Sequence, residues 1–148
     1  MEFRIFNGVR PNRISRGFRY VGDDDFLVGE EEDVLMTTGV GPCLVITLYS
    51  PELRKGVLAH IGGFSFSPAH LSPRRVISTL LDALSVKDIS RLQTTLSGES
   101  FSTNRKSTLV KSDLKRNFIS LGGEDLGGKF YRQVWLDCNG GDVAVYYP

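Results

Sequence analysis

The chain has 148 residues, 41% hydrophobic and 24% charged, with a formal net charge of +1. That length makes one domain with a core large enough to need no staples, and the near-neutral charge gives no global attraction to nucleic acid or an anionic membrane surface. No apolar run approaches the roughly 18 residues of a spanning helix, and the first 20 residues scatter charge where a Sec signal would be apolar.

Residues 1 to 20 mix apolar side chains with Arg4, Arg10, Arg13, Arg16 and Arg19. They read as a solvated arm or an edge element rather than an anion-binding arm. Gly22 to Asp25 ("GDDD") reads as a turn and Phe26 to Glu30 as a short strand, while the four carboxylates of Glu30 to Asp33 repel one another and belong in a solvated turn. "VLMTT" runs into "GVGPC", and the β-branched "LVITLYS" that follows has strand length. "SPELRKG" is a turn in which Pro51 presets φ and Gly56 takes a positive φ. "VLAHIGGF" is a second buried strand, left through Gly62 and Gly63. Cys43 and His60 are therefore expected at one end of a sheet, on consecutive strands joined by a hairpin-like loop.

"SPRRVISTLLDAL" carries the clearest helical pattern, with Ser72 as N-cap, Pro73 at the first helical position, and Val76, Ile77, Leu80, Leu81 and Leu84 as the core stripe. Leu92, Thr94 and Leu96 alternate as one face of a strand, and a second helix with a mixed face is expected from Ser107. Three more strands close the chain, with Asn139-Gly140-Gly141 as a hairpin turn. "GGEDLGGK" lacks the spacing of a phosphate loop and reads as a β-turn. With 16 glycines marking turns, the order predicts an α+β domain. Its sheets are mixed or antiparallel and sandwich-like, with two or more helices packed on one outer face.

The chain holds two cysteines, Cys43 and Cys138, and two histidines, His60 and His70. Their C-x16-H-x9-H-x67-C spacing lacks the close ligand pairs of a structural zinc site, and two cysteines 95 residues apart are no disulfide framework. No metal or cofactor is expected. Cys43 follows two glycines at a loop-to-strand junction, where its side chain can be exposed, and His60 lies in an apolar run among small residues. Thr37 and Thr38, ahead of the glycine loop, are placed to supply a hydroxyl or carbonyl to the imidazole. Residue types alone leave both a Cys-His nucleophile-base pair and a structural cysteine and histidine open. His70 reads as solvated, Cys138 as a bystander, and Phe130, Tyr131 and Trp135 as strand packing.

The stretch "LMTTGVGPCLVITLYSPELRKGVLAH" resembles the CheD family of chemoreceptor glutamine deamidases. That family's signature is a threonine six residues before the cysteine, an "LGSC"-like turn, an apolar strand, "YDP", and "GLAH" or "GMAH" ending in the histidine. Thr37 stands six before Cys43, His60 stands 17 after it, "LYSP" matches the "YDP" turn with Ser50 for aspartate, and "GVLAH" matches the histidine segment. The final "EDLGGKFYRQVWLDCNGGDVAVYY" is similar to the family's closing hairpin, so the likeness covers roughly residues 26 to 148 and implies a domain over 26–148 with residues 1–25 as an arginine-bearing N-terminal extension.

The resemblance implies Cys43 as nucleophile, His60 as general base and acid, Thr37 as the group that orients His60, and Thr38, Gly39 and Gly41 as support for the loop and the oxyanion. It implies hydrolysis of a glutamine side-chain amide to glutamate on a protein substrate, a chemoreceptor or another protein, in the cytoplasm or as a secreted effector. A regulatory protein partner is left open. The same Cys-His constellation appears in deamidating bacterial toxins. The chain departs from the pattern at Pro42, where the family has serine and where no N–H exists to meet an oxyanion, and after His60, where "IGGFSFSPAH" replaces an "LP" exit. Two other functions stand beside the deamidase: a silent binding module, motivated by Pro42, and a cysteine hydrolase of a different acyl substrate.

Overall fold

The computed structural model describes residues 2–7, 17–62, 68–101 and 105–148. Arg10, Arg13, Arg16 and Gly63 lie outside the described residues. Two five-stranded sheets stack face to face, and two helices cover the outer side of the second. This is the expected α+β sandwich with helices on one outer face.

The strands are β1 (Phe3–Asn7), β2 (Arg19–Tyr20), β3 (Asp25–Gly29), β4 (Val34–Val40), β5 (Leu44–Ser50), β6 (Lys55–Ile61), β7 (Gln93–Gly98), β8 (Leu121–Leu126), β9 (Arg132–Asp137) and β10 (Asp142–Tyr147). The helices are α1 (Val76–Leu84) and α2 (Arg105–Arg116). One sheet runs β1-β10-β9-β4-β2 and the other β3-β6-β5-β7-β8. β1 on β10, β2 on β4 and β8 on β7 pair parallel, and the remaining neighbours pair antiparallel.

Alternation along β5 and β6 sorts their side chains between two cores. Leu44, Ile46, Leu48, Val57, Ala59 and Ile61 meet Val76, Ile77, Leu80 and Leu84 of α1 and Val110 and Leu114 of α2. The opposite face sends Val45 and Leu58 against Leu35, Val40, Val134, Leu136, Val143 and Val145 of the other sheet. His60 belongs to this inward face, in step with Leu58. Among apolar inter-sheet residues it is a polar side chain that must find a partner there.

Several local expectations change. Ser72 does not cap α1: its carbonyl accepts from the amides of Arg75 and Val76, and the helix starts at Val76 after a turn in which Arg75 has φ −123°. The left-handed residue of the β5–β6 turn is Arg54, with φ 47°, rather than Gly56. Gly56 sits inside β6, where an added Cβ would lie 2.8 Å from Leu136. "GGED" is part of β8, so the turn begins only at Gly127. Trp135 packs on β9, but Phe130 and Tyr131 precede that strand and are mostly exposed, with Tyr131 lying over Gly41. Leu81 is half-buried while the rest of the predicted α1 stripe is buried.

The segments Phe3–Asn7 and Arg19–Tyr20 are the edge strands of the first sheet. Arg4 pairs with Glu2, and Arg19 donates to the Val28 carbonyl at 3.1 Å.

Candidate active site

β4 carries the first site residue and a device that aims it. The β4–β9 register runs Thr37↔Val134 and then Val40↔Arg132, so β4 has one residue too many between these pairs. The extra residue forms a β-bulge in which Gly39 takes φ +66°, a conformation that a Cβ disfavours. Without the bulge, residues three apart would face opposite ways; with it, Thr37 and Val40 are both buried.

Thr37 thereby reaches across the sandwich to β6. Its Oγ1 lies 2.7 Å from His60 Nδ1 and 2.7 Å from the Val21 carbonyl oxygen. A hydroxyl has one proton and a carbonyl can only accept, so Thr37 donates to Val21 and accepts from His60. Nδ1 therefore carries the imidazole proton, and Nε2 is left with its lone pair. Nε2 is buried and makes no hydrogen bond among the described residues. The Asp23 Oδ1 3.4 Å away is an ion-pair partner only when Nε2 is protonated. Burial pushes the imidazole below its ordinary value of 6.5, against the opposing pull of the Asp23 and Asp24 carboxylates. At neutral pH the group is a neutral base with one defined basic nitrogen.

Cys43 stands one residue ahead of β5 and is partly exposed. The β5–β6 pairs begin Leu44↔Ile61 and Val45↔His60, so Cys43 is two residues before the residue opposite His60. Such diagonal positions on antiparallel strands have backbones roughly 7–8 Å apart and side chains closer. The register therefore puts the thiol-bearing residue and the base at one end of one sheet.

The loop before Cys43 is held from behind by three successive carbonyls. Gly41 O accepts from Ser100 N at 2.8 Å, Pro42 O from Lys106 Nζ at 3.1 Å, and Cys43 O from Glu99 N at 2.7 Å. Gly98 has φ +126°, and a Cβ there would stand 2.2 Å from Cys43 O, so only glycine lets β7 approach this closely. Glu99 is fully buried and accepts from Ser107 N and Oγ, both at 2.7 Å, which ties this support to the first turn of α2. Ser100 Oγ in turn receives Arg132 Nη2 at 2.7 Å and donates to Phe130 O at 2.8 Å. Arg132, 1% exposed, is neutralised by Asp125 at 2.9 Å.

The supporting residues expected from the sequence divide. Gly41 N–H is engaged by Gly39 O at 3.0 Å, which takes it away from an oxyanion. Pro42 has no N–H, and across the trans peptide that follows it the Cys43 N–H points opposite to the Pro42 carbonyl that Lys106 holds. Thr38 faces away from His60. Its hydroxyl lies 3.3 Å from Tyr20 Oη, and it lines an outer cleft of about 150 Å³ with Gly39, Tyr131, Gln133 and Tyr146. His70 is exposed in a 3-10 turn. Cys138 is a free, buried thiol pushed up to about 12, chiefly by burial and then by the Asp33 carboxylate. Among the described residues, no three His, Cys, Asp or Glu side chains gather to hold a metal ion.

Asp23, Asp24, Glu99, Ser100, Lys106 and Arg132 escaped the sequence reading. Nothing in "GDDD" or "SGES" separates a turn that touches a buried imidazole from an ordinary solvated turn.

No protein-family model matches the chain. Curated proteins do. A probable chemoreceptor glutamine deamidase CheD of Thermococcus kodakarensis is 30% identical over 145 residues, covering 84% of this chain and 89% of that protein. The chemoreceptor glutamine deamidase CheD of Thermotoga maritima is 28% identical over 142 residues, 86% of this chain and 90% of that protein. A probable CheD of Pyrococcus horikoshii is 30% identical with coverage of 84% and 89%. Near-complete overlap at this identity, on a fold that joins the Thr37, Cys43 and His60 segments, fixes the kinship: the chain belongs to the CheD family of chemoreceptor glutamine deamidases.

Proposed function

We propose that the chain is a protein-glutamine deamidase acting on a chemoreceptor, with Cys43 as nucleophile, His60 as general base and acid, and Thr37 as the group that fixes the His60 tautomer. The observation that carries this reading is the pair of 2.7 Å contacts of Thr37 Oγ1, which leave His60 Nε2 as the sole basic nitrogen. The names of the relatives supply the substrate class.

In the first half-reaction Nε2 takes the Cys43 proton and the thiolate attacks the carboxamide carbon. Pro42 offers the resulting oxyanion no N–H, and the Gly41 N–H is engaged by Gly39. The Nε2 proton passes to the leaving nitrogen, and ammonia departs from a thioester. Water then gives a proton to Nε2 and adds to the thioester carbonyl, and collapse returns the Cys43 sulfur and leaves glutamate. The side chain gains one negative charge, a change able to bias a protein switch.

The test incubates chemoreceptor signalling domains with the native protein and with Cys43→Ser, followed by mass spectrometry of tryptic peptides. Gln-to-Glu conversion with the native protein alone supports the reading. Identical spectra from the two proteins, across receptors and then across a whole proteome, refute it and leave a binding module.

A further inference from the structure

The β2–β3 turn is fastened to both sheets around His60. Val21 N donates to Met36 O at 2.8 Å, and Thr37 Oγ1 returns a bond to Val21 O. Asp24 N donates to His60 O at 2.7 Å, and Asp24 Oδ1 accepts from Gly62 N at 2.7 Å. Asp23 sits between these fastenings. Its side chain is 71% exposed, yet Oδ1 lies 3.4 Å from Nε2 of a fully buried imidazole. With Nδ1 protonated and Nε2 bare, that contact gains nothing in the resting state, since two lone pairs face one another. It gains a charge-assisted interaction once Nε2 takes a proton.

Among the other groups around the ring, Asp24 adds a smaller pull of the same sign while its Oδ1 accepts from Gly62 N, and Asp25, opposite His60 in the β3–β6 register, turns its carboxylate to the Phe26 amide at 2.8 Å. Thr37 is neutral, and Cys43, one residue ahead of β5, is read as the proton donor. We propose that Asp23 is the counter-charge of His60: its carboxylate stabilises the imidazolium formed when Cys43 gives up its proton, and so sets the fraction of reactive thiolate. This rests on the reading of His60 as the base. Asp23 transfers no proton; it holds charge at a reacting atom that burial would otherwise keep neutral.

The chain has two histidines, so the His60 signals are assigned directly. In full-length Cys43→Ser protein, the imidazole carbon signals are followed by NMR against pH, with and without Asp23→Asn. His60 is expected to titrate about one pH unit lower in Asp23→Asn, a tenfold loss of proton affinity, and to stay in place in Asp25→Asn. In the native background, alkylation of Cys43 by iodoacetamide at pH 7 slows about tenfold in Asp23→Asn, kcat falls with KM unchanged, and Asp23→Glu restores part of the rate. Trp135, which is buried in the fold, reports that the variant is folded. A His60 titration unmoved by Asp23→Asn overturns the proposal, even where the native protein deamidates its substrate. If no substrate is deamidated and Asp23→Asn still shifts His60, the deamidase reading fails and the Asp23–His60 pair stands.

Discussion

Replacing Thr37 by valine removes one oxygen and almost no volume, at a site where Thr37, His60 and Val21 are all fully buried. Two groups lose a partner: Val21 O loses its donor and His60 Nδ1–H its acceptor. A buried group left unpaired costs about 1–3 kcal/mol. The imidazole has an escape, moving its proton to Nε2, where Asp23 Oδ1 at 3.4 Å can accept. The ring then has one bare nitrogen, as it has in the native protein, so the Val21 carbonyl is the one group newly orphaned, and the expected loss is about 2 kcal/mol. For a chain of this size that lowers Tm by roughly 4–8 °C. The escape removes the basic lone pair, so the deamidation rate should fall more than stability does, by about 10–100-fold. Thr37→Ser keeps the hydroxyl and should recover most of the rate. Imidazole nitrogen shifts read the tautomer, with the proton on Nδ1 in the native protein and on Nε2 in Thr37→Val. A variant that keeps Nδ1 protonated and reacts within twofold of native would refute the hydroxyl's role.

Two further outcomes follow from buried groups. Because burial holds His60 below its ordinary 6.5, the unfolded chain takes its proton first as pH falls. The stability linked to this group is therefore complete above about pH 6.5 and declines below it. Urea midpoints between pH 7.5 and 5 should fall further for the native protein than for His60→Gln, and parallel curves would contradict the sign. Cys138, pushed up to about 12 and buried, should stay silent to a thiol reagent at pH 8 while Cys43 reacts. One thiol per folded chain and two in denaturant is the expected count; two fast thiols would put Cys138 at the surface.

The sequence revealed elements whose cause is local. The β-branched run of β5, the turn after Ser50 and the stripe of α1 each follow from residue types within a few positions of one another. The shift of the α1 start from Ser72 to Val76 arose within that local range, where the Ser72 carbonyl closes a turn before the helix begins. Gly56 was read as a turn glycine, but its smallness serves Leu136 of another sheet, which no window of sequence contains. The same holds for the site. Thr37, Cys43 and His60 could be named as candidates because their spacing resembles a family pattern, whereas the acidic turn at Asp23 and the Glu99–Ser107 and Arg132–Ser100 contacts depend on which strands the fold brings together. An aspartate that touches an imidazole 37 residues away looks, in sequence, like any solvated aspartate.

The Thr37–His60 bond joins the two layers of the sandwich, since β4 lies in one sheet and β6 in the other. It works as a gauge of the gap between them. That gap is set by Val45, Leu58, Leu136 and their neighbours, none of which takes part in the chemistry. A methylene added or removed in this layer changes the Thr37–His60 distance before it unfolds the chain. Substitutions confined to the apolar core should therefore tune the reaction rate, and thermal expansion of the sandwich should slacken the base before the protein melts.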